Sequence, residues 1–169
     1  LLVQSRMDAL TKICNRGYGE AQIEKLLKAK KNGMFLLFDV DKFKHINDTY
    51  GHSIGDEVLI QVADALKQTF EQAGVCMRLG GDEFAVYAPE ITEQMQAETM
   101  IQAFFERIRN IAIPQMEGDA ISVSLGAVLC APDREHVFEK VYQRADATMY
   151  TCKKVIGNSY DFYTGRNPA

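Results

Sequence analysis

The residues able to do chemistry in this chain are mostly acids placed beside apolar runs. In Arg78-Leu79-Gly80-Gly81-Asp82-Glu83-Phe84, two glycines separate the apolar runs 75–79 and 84–88, and two carboxylates follow them directly. Glycine accepts positive φ and puts no side chain over a bend, so the pattern predicts a β-hairpin with a bare turn. A phosphate can approach such a turn closely, and acids beside it can hold a metal. The bland alternative is a Gly-rich turn with solvated acids. It is weakened by a second acidic cluster, Asp39-Val40-Asp41, which follows the apolar run 34–38.

Rigid backbone at the end of a buried strand fixes the direction of a carboxylate. The Asp-x-Asp spacing sends both acids to the same side of an extended segment. An EF-hand loop also begins this way, but Phe43 stands where a third oxygen ligand is needed and Lys44 where glycine is needed. Turn or cap formation remains the ordinary role for Asp39 and, more so, for Asp41. If the hairpin pairs beside the strand ending at Asp39, then Asp39, Asp82 and Glu83 converge and need a counter-charge. Hard oxygen ligands select Mg²⁺ or Mn²⁺. Such a site suits a nucleoside triphosphate. Two metals there can activate an attacking hydroxyl and stabilise leaving pyrophosphate, so the chemistry expected is phosphoryl or nucleotidyl transfer.

Asn47 and Asp56 are the next candidates. Asp56 follows Gly55 at an expected helix start, where N-capping is the common role. A carboxylate can instead accept two N–H bonds from the Watson–Crick edge of guanine, a donor pair that adenine lacks. His52 reads as a loop histidine. Lys153, on the last helix, can reach a terminal phosphate or simply be solvated.

Helices and strands must position these groups. The apolar spacing predicts helices over 17–31, from Asp56 through Phe70, over 93–111, and from a cap at Asp133 to about Lys154. In the last of these, Val137, Val141, Ala145 and Met149 are expected to face inward. Strands are expected over 34–38, on both sides of Gly80-Gly81, over 120–130 and over 160–163, with a polar connection from Asp39 to Gly55. Residues 1–10 read as the helical tail of an upstream connecting helix, with the domain over 11–169. The fold class is α/β (α+β): a central, mainly antiparallel sheet flanked by helices.

With 169 residues, 47% of them hydrophobic, the chain has enough material for one full core. Its net charge of -4 argues against a broad nucleic-acid surface. Cys14, Cys76, Cys130 and Cys152 form no Cys-x-x-Cys pair, so reduced thiols in a cytoplasmic domain are expected. No apolar run is long enough to insert in a bilayer. The chain begins with Leu1 and reads as a domain cut from a longer protein.

Taken together, Asp39-Val40-Asp41-Lys42-Phe43-Lys44-His45-Ile46-Asn47-Asp48, Gly51-His52, Gly55-Asp56 and the 78–84 segment resemble the GGDEF family of diguanylate cyclases. Asp8-Ala9-Leu10-Thr11, Ser122-Val123-Ser124-Leu125-Gly126, Arg144-Ala145-Asp146 and Lys153 are similar to its opening and later motifs. The resemblance implies a fold like nucleotidyl cyclases and polymerase palms. It also implies condensation of two GTP to cyclic di-GMP across a homodimer, with two Mg²⁺ (or Mn²⁺) per half-site and an upstream sensor domain. By resemblance, Asp39, the Val40 carbonyl, Asp82 and Glu83 hold metal. Asp82 or Glu83 assists deprotonation of the hydroxyl. Phe43, Asn47 and Asp56 line the guanine pocket, Lys44 and Lys153 contact phosphates, and Gly80 and Gly81 admit phosphate and ribose.

Three departures from the family pattern stand out. Lys12-Ile13 replaces Gly-Leu in the opening motif, Glu71-Gln72-Ala73-Gly74 replaces the inhibitory Arg-x-x-Asp, and Gly157 replaces an arginine. A silent GTP-binding relay and a pure interaction module are the competing readings.

Overall fold

The computed structural model describes residues 5–132 and 134–165. The elements, in chain order, are α1 (Arg16–Lys28), β1 (Met34–Val40), α2 (Phe43–Tyr50), α3 (His52–Phe70), β2 (Val75–Gly80), β3 (Glu83–Ala88), α4 (Gln94–Arg109), β4 (Val123–Leu129), α5 (Phe138–Cys152) and β5 (Ser159–Phe162). A 3-10 turn at Pro114–Met116 joins α4 to β4. The five strands lie in the order β2-β3-β1-β4-β5. Every pairing is antiparallel except β4 with β5.

The central strand explains why the segment over 34–38 is apolar throughout. β1 is covered on both faces, so every residue in that run is fully buried. Met34, Leu36, Phe38 and Val40 face a core that includes Val58, Val62, Leu66 and Phe70 of α3 and Phe104 of α4. Phe35 and Leu37 face the opposite core, built with Ile23 and Leu27 of α1 and Val141, Ala145 and Met149 of α5. Each such side chain contributes about 1.5–3 kcal/mol by leaving water. Strand alternation therefore places the Asp39 side chain on the α1–α5 side.

Several boundaries differ from the sequence expectation. Residues 5–10, the described part of the expected upstream helix, form a loop and a turn instead. Asp8 Oδ2 accepts from the Thr11 N–H (2.9 Å) and hydroxyl (2.7 Å), and Lys12 takes φ +64°. Cys14 then bridges to Met77, so this segment runs alongside β2.

The polar connection over 39–55 contains α2 and the first turn of α3. Its polar residues form the outward face of a short helix whose buried side chain is Ile46. Because α3 starts at His52, Asp56 lies inside the helix rather than at its cap. The start of α1 is capped by the Asn15 side chain, which accepts from the Tyr18 N–H at 2.9 Å. It ends at Lys28, ahead of Asn32-Gly33, because Lys30 turns left-handed at φ +56°. The start of α5 is Phe138; the expected cap, Asp133, lies outside the described residues. Val137 is exposed rather than inward, since it precedes the first turn.

Candidate active site

β1 supplies the first acid and β3 the second. Asp39 and Glu83 are register partners across the β1–β3 ladder, and directly opposed side chains in such a ladder share a face. The hairpin between β2 and β3 brings Asp82 to the same end of the sheet, where its carbonyl accepts from the Val40 N–H at 3.3 Å. Gly80 and Gly81 take φ of +150° and +51°, and a Cβ at either would meet nothing within 4 Å. These glycines are thus required by the backbone and leave the bend open.

α5 lies over the acid pair and supplies a donor to each. Lys153, at its C-terminal cap, forms an ion pair and hydrogen bond with Asp39. The Tyr142 hydroxyl donates to Glu83 Oε1 at 2.6 Å. Asp39, Glu83, Asp146, Met149, Tyr150 and Lys153 line a cavity of about 540 Å³.

Electrostatics mark the region as crowded with negative charge. Burial pushes the Asp39 carboxyl above its ordinary range, the Lys153 ammonium pulls it back, and Asp82 and Asp41 push it up again. Burial also raises the Asp82 carboxyl, with its own and the Val40 backbone N–H and the Lys153 charge opposing and Glu83 adding to the rise. Raised carboxyls beside a lysine indicate a place that accommodates more positive charge than the chain itself provides.

The acids fit a hard cation in one specific sense. Among the described residues, no three His, Cys, Asp or Glu side chains gather as a ready-made metal cluster. The expected three-way convergence is therefore a register pair, Asp39 and Glu83, with Asp82 at the adjoining bend. Lys153 contacts Asp39 and Tyr142 contacts Glu83. Mg²⁺ commonly takes only one or two protein carboxylates and completes its shell with water and substrate phosphate. Asp39, Glu83 or Asp82, together with the Val40 carbonyl, meet that requirement.

The remaining sequence candidates fall into a second group, on α2 and α3. A Cβ built on Gly55 would sit 1.8 Å from Asn47 Oδ1 and 3.4 Å from Phe43 Cζ, so these three residues are packed together. Asn47 Oδ1 is buried with no hydrogen-bond partner among the described residues. An orphaned acceptor of this kind is costly unless something else satisfies it. Asp56 follows Gly55 on α3, exposed and not used as a cap. Lys44 is exposed on α2. None of Phe43, Lys44, Asn47 and Asp56 lines the cavity under α5.

Asp41 belongs to the structure instead. Its two carboxylate oxygens accept from the Ser122 and Ser124 hydroxyls, each at 2.6 Å, locking the end of β1 to β4. Sequence reasoning missed Tyr142. The signal was its spacing from Lys153, eleven residues or about three helical turns, which puts both on one side of α5.

The sequence profile of the diguanylate cyclase GGDEF domain matches residues 5–159. The chain belongs to the GGDEF diguanylate cyclase family. This GGDEF domain is 36% identical over 160 residues to the diguanylate cyclase DosC of Escherichia coli, covering 88% of this chain and 33% of DosC. It is 30% identical over 149 residues to YtrP of Bacillus subtilis, covering 88% of this chain and 25% of YtrP. The chain thus spans a third or less of these two relatives.

Among solved structures, the GGDEF domain of YfiN from Pseudomonas aeruginosa superposes with a TM-score of 0.81 at 27% identity, covering 94% of each chain. That of DgcB from Caulobacter crescentus, solved in complex with c-di-GMP, gives 0.83 at 24%, covering 96% of this chain and 98% of that one, and supports the fold. Among the described residues, no helix of this GGDEF domain is long and apolar enough to cross a membrane.

Proposed function

We propose that the chain condenses two GTP molecules into cyclic di-GMP and two pyrophosphates, each domain of a homodimer binding one GTP. In each half-reaction the 3′-oxygen of one GTP bonds to the α-phosphorus of the other. The bond from that phosphorus to the bridging oxygen breaks, pyrophosphate leaves, and the hydroxyl proton passes to a carboxylate. The observation that carries this reading is the Asp39–Glu83 register pair beside an open Gly-Gly bend, under the lysine of α5.

Asp82 suits the proton-accepting role, because burial raises its carboxyl toward the working pH. Asp39, the Val40 carbonyl and Glu83 or Asp82 would hold Mg²⁺ or Mn²⁺, two per half-site, which when bound neutralise phosphate charge and activate the hydroxyl. Lys153 would exchange part of its contact with Asp39 for a phosphate oxygen. Gly80 and Gly81 leave room for the phosphates and ribose. Asn47 and Asp56 would read the guanine edge, with Phe43 against the base and Lys44 on the phosphates. The orphaned Asn47 acceptor then finds its donor.

Gly157, where the family carries arginine, takes φ +88° and leaves no side chain there, so phosphate binding rests on the lysines. The sequence Glu71-Gln72-Ala73-Gly74 lacks the charges that would hold product near β2, and no inhibition through that point is expected. The same reading includes an upstream sensor and a cytoplasmic location for the catalytic domain.

Incubation with GTP and Mg²⁺ followed by chromatography of the products tests the reading. Cyclic di-GMP from a dimeric sample supports it. A dimeric sample that binds GTP and forms no cyclic dinucleotide is instead the silent relay.

A further inference from the structure

We infer that Tyr142 is a positioning residue for the Glu83 carboxylate and thereby sets how tightly the acid pair takes a divalent cation. The inference rests on the reading above that Glu83 serves that cation.

Three observations carry it. The Tyr142 hydroxyl donates to Glu83 Oε1 at 2.6 Å, a short bond of the kind made to an ionised acceptor. Its ring is braced: Tyr142 packs on Phe138 with centroids 6.2 Å apart, and Phe138 meets Phe35 of β1 edge-on at 5.8 Å. The strand that bears Asp39 thus supports the tyrosine that holds Glu83. Finally, α5 serves the two register partners from one side, with Lys153 on Asp39 and Tyr142 on Glu83.

The consequence is preorganisation. A glutamate at the start of a strand has rotamer freedom, and fixing it at the moment of binding costs affinity. A hydroxyl that holds one carboxylate oxygen from the helix side removes that cost beforehand. Partners of this type behind a metal-binding carboxylate are worth about 10- to 100-fold in metal affinity. The competing explanation is that Glu83 merely satisfies a half-buried tyrosine, in which case removing the hydroxyl changes folding stability and nothing else.

The test titrates Mn²⁺ into the domain and follows loss of the free-ion electron paramagnetic resonance signal. Tyr142→Phe keeps the ring packing and deletes the donor. It is expected to lower Mn²⁺ affinity at least about tenfold. In a Glu83→Gln background the same substitution should have no effect, which ties the loss to Glu83 rather than to general damage. Tyr142→Met, which also lacks the donor, gives the same comparison should the Phe variant fail to fold. Wild-type uptake of Mn²⁺ that Asp39→Asn abolishes and Tyr142→Phe leaves unchanged overturns this inference alone. An equal loss in the Glu83→Gln background also overturns it. A wild-type domain that takes up no Mn²⁺ removes the reading of the acids and this inference with it.

Discussion

Asp82 and Asp41 are both acids next to a strand, yet their surroundings assign them opposite roles. Asp41 spends both oxygens on serine hydroxyls, whereas Asp82 is half-buried at an open bend with its carboxyl raised. Asp82→Ala should therefore abolish turnover, by about 10²-fold or more, while the melting temperature stays near that of the wild type. Retained cyclisation in that variant would remove Asp82 from the mechanism. Asp41→Ala should do the reverse in part, unfolding at lower temperature by about 1–3 kcal/mol because the Ser122 hydroxyl and the fully buried Ser124 hydroxyl lose their acceptor. Asp41 as a structural residue was an open alternative in the sequence. Only the positions of Ser122 and Ser124 on the neighbouring strand decided it.

Two joints between elements hold the acid site in place. In the first, Arg78 of β2 donates to the Gly81 carbonyl at 2.9 and 2.7 Å and pairs with Asp8 at 3.2 Å, tying the amino-terminal loop to the Gly-Gly bend. Burial pushes the Asp8 carboxyl up, but Thr11 and Arg78 outweigh it and hold it below its ordinary value of 3.8. A carboxyl depressed by folding contributes stability above its unfolded pKa and loses it as pH falls through the folded one. Asp8→Asn should thus cost about 1–2 kcal/mol at pH 7, with the gap to wild type closing below about pH 4. Parallel melting curves across pH 3–7 would expose an error in this account.

The second joint is Gly55, which leaves no space for a Cβ beside Asn47 and Phe43. Gly55→Ala should destabilise by about 1–3 kcal/mol through overpacking, and Asn47→Ala in the same chain should recover most of that loss. Additive costs in the double variant would contradict the contact. The α2 helix itself was hidden in the sequence, because one buried position, Ile46, gives too little periodicity to separate an eight-residue helix from a polar loop.

At the scale of the molecule, the functional groups sit at one end of a five-stranded sheet with helices on both faces. The acids lie on β1 and β3 and the Asn47 pocket on α2 and α3, which under the proposed function gives one domain a triphosphate end and a base end for a single nucleotide. If the second nucleotide comes from a partner domain, product formed per chain should fall as the protein is diluted through its dimer dissociation constant. A rate per chain independent of concentration would show that one domain suffices.

The alternation of buried and polar residues, the Gly-Gly bend and the acids flanking it are local facts. They determined the strands, the hairpin, the fold class and the candidate acids from the sequence alone. Pairing was not local. That β3 would pair with β1 and set Glu83 opposite Asp39, that α5 would bring Tyr142 and Lys153 onto those two acids, and that residues 5–10 would lie along β2 instead of forming a helix all depend on contacts between segments far apart in the chain. Such contacts form only when two hydrophobic faces close on the sheet, and no residue carries that information by itself.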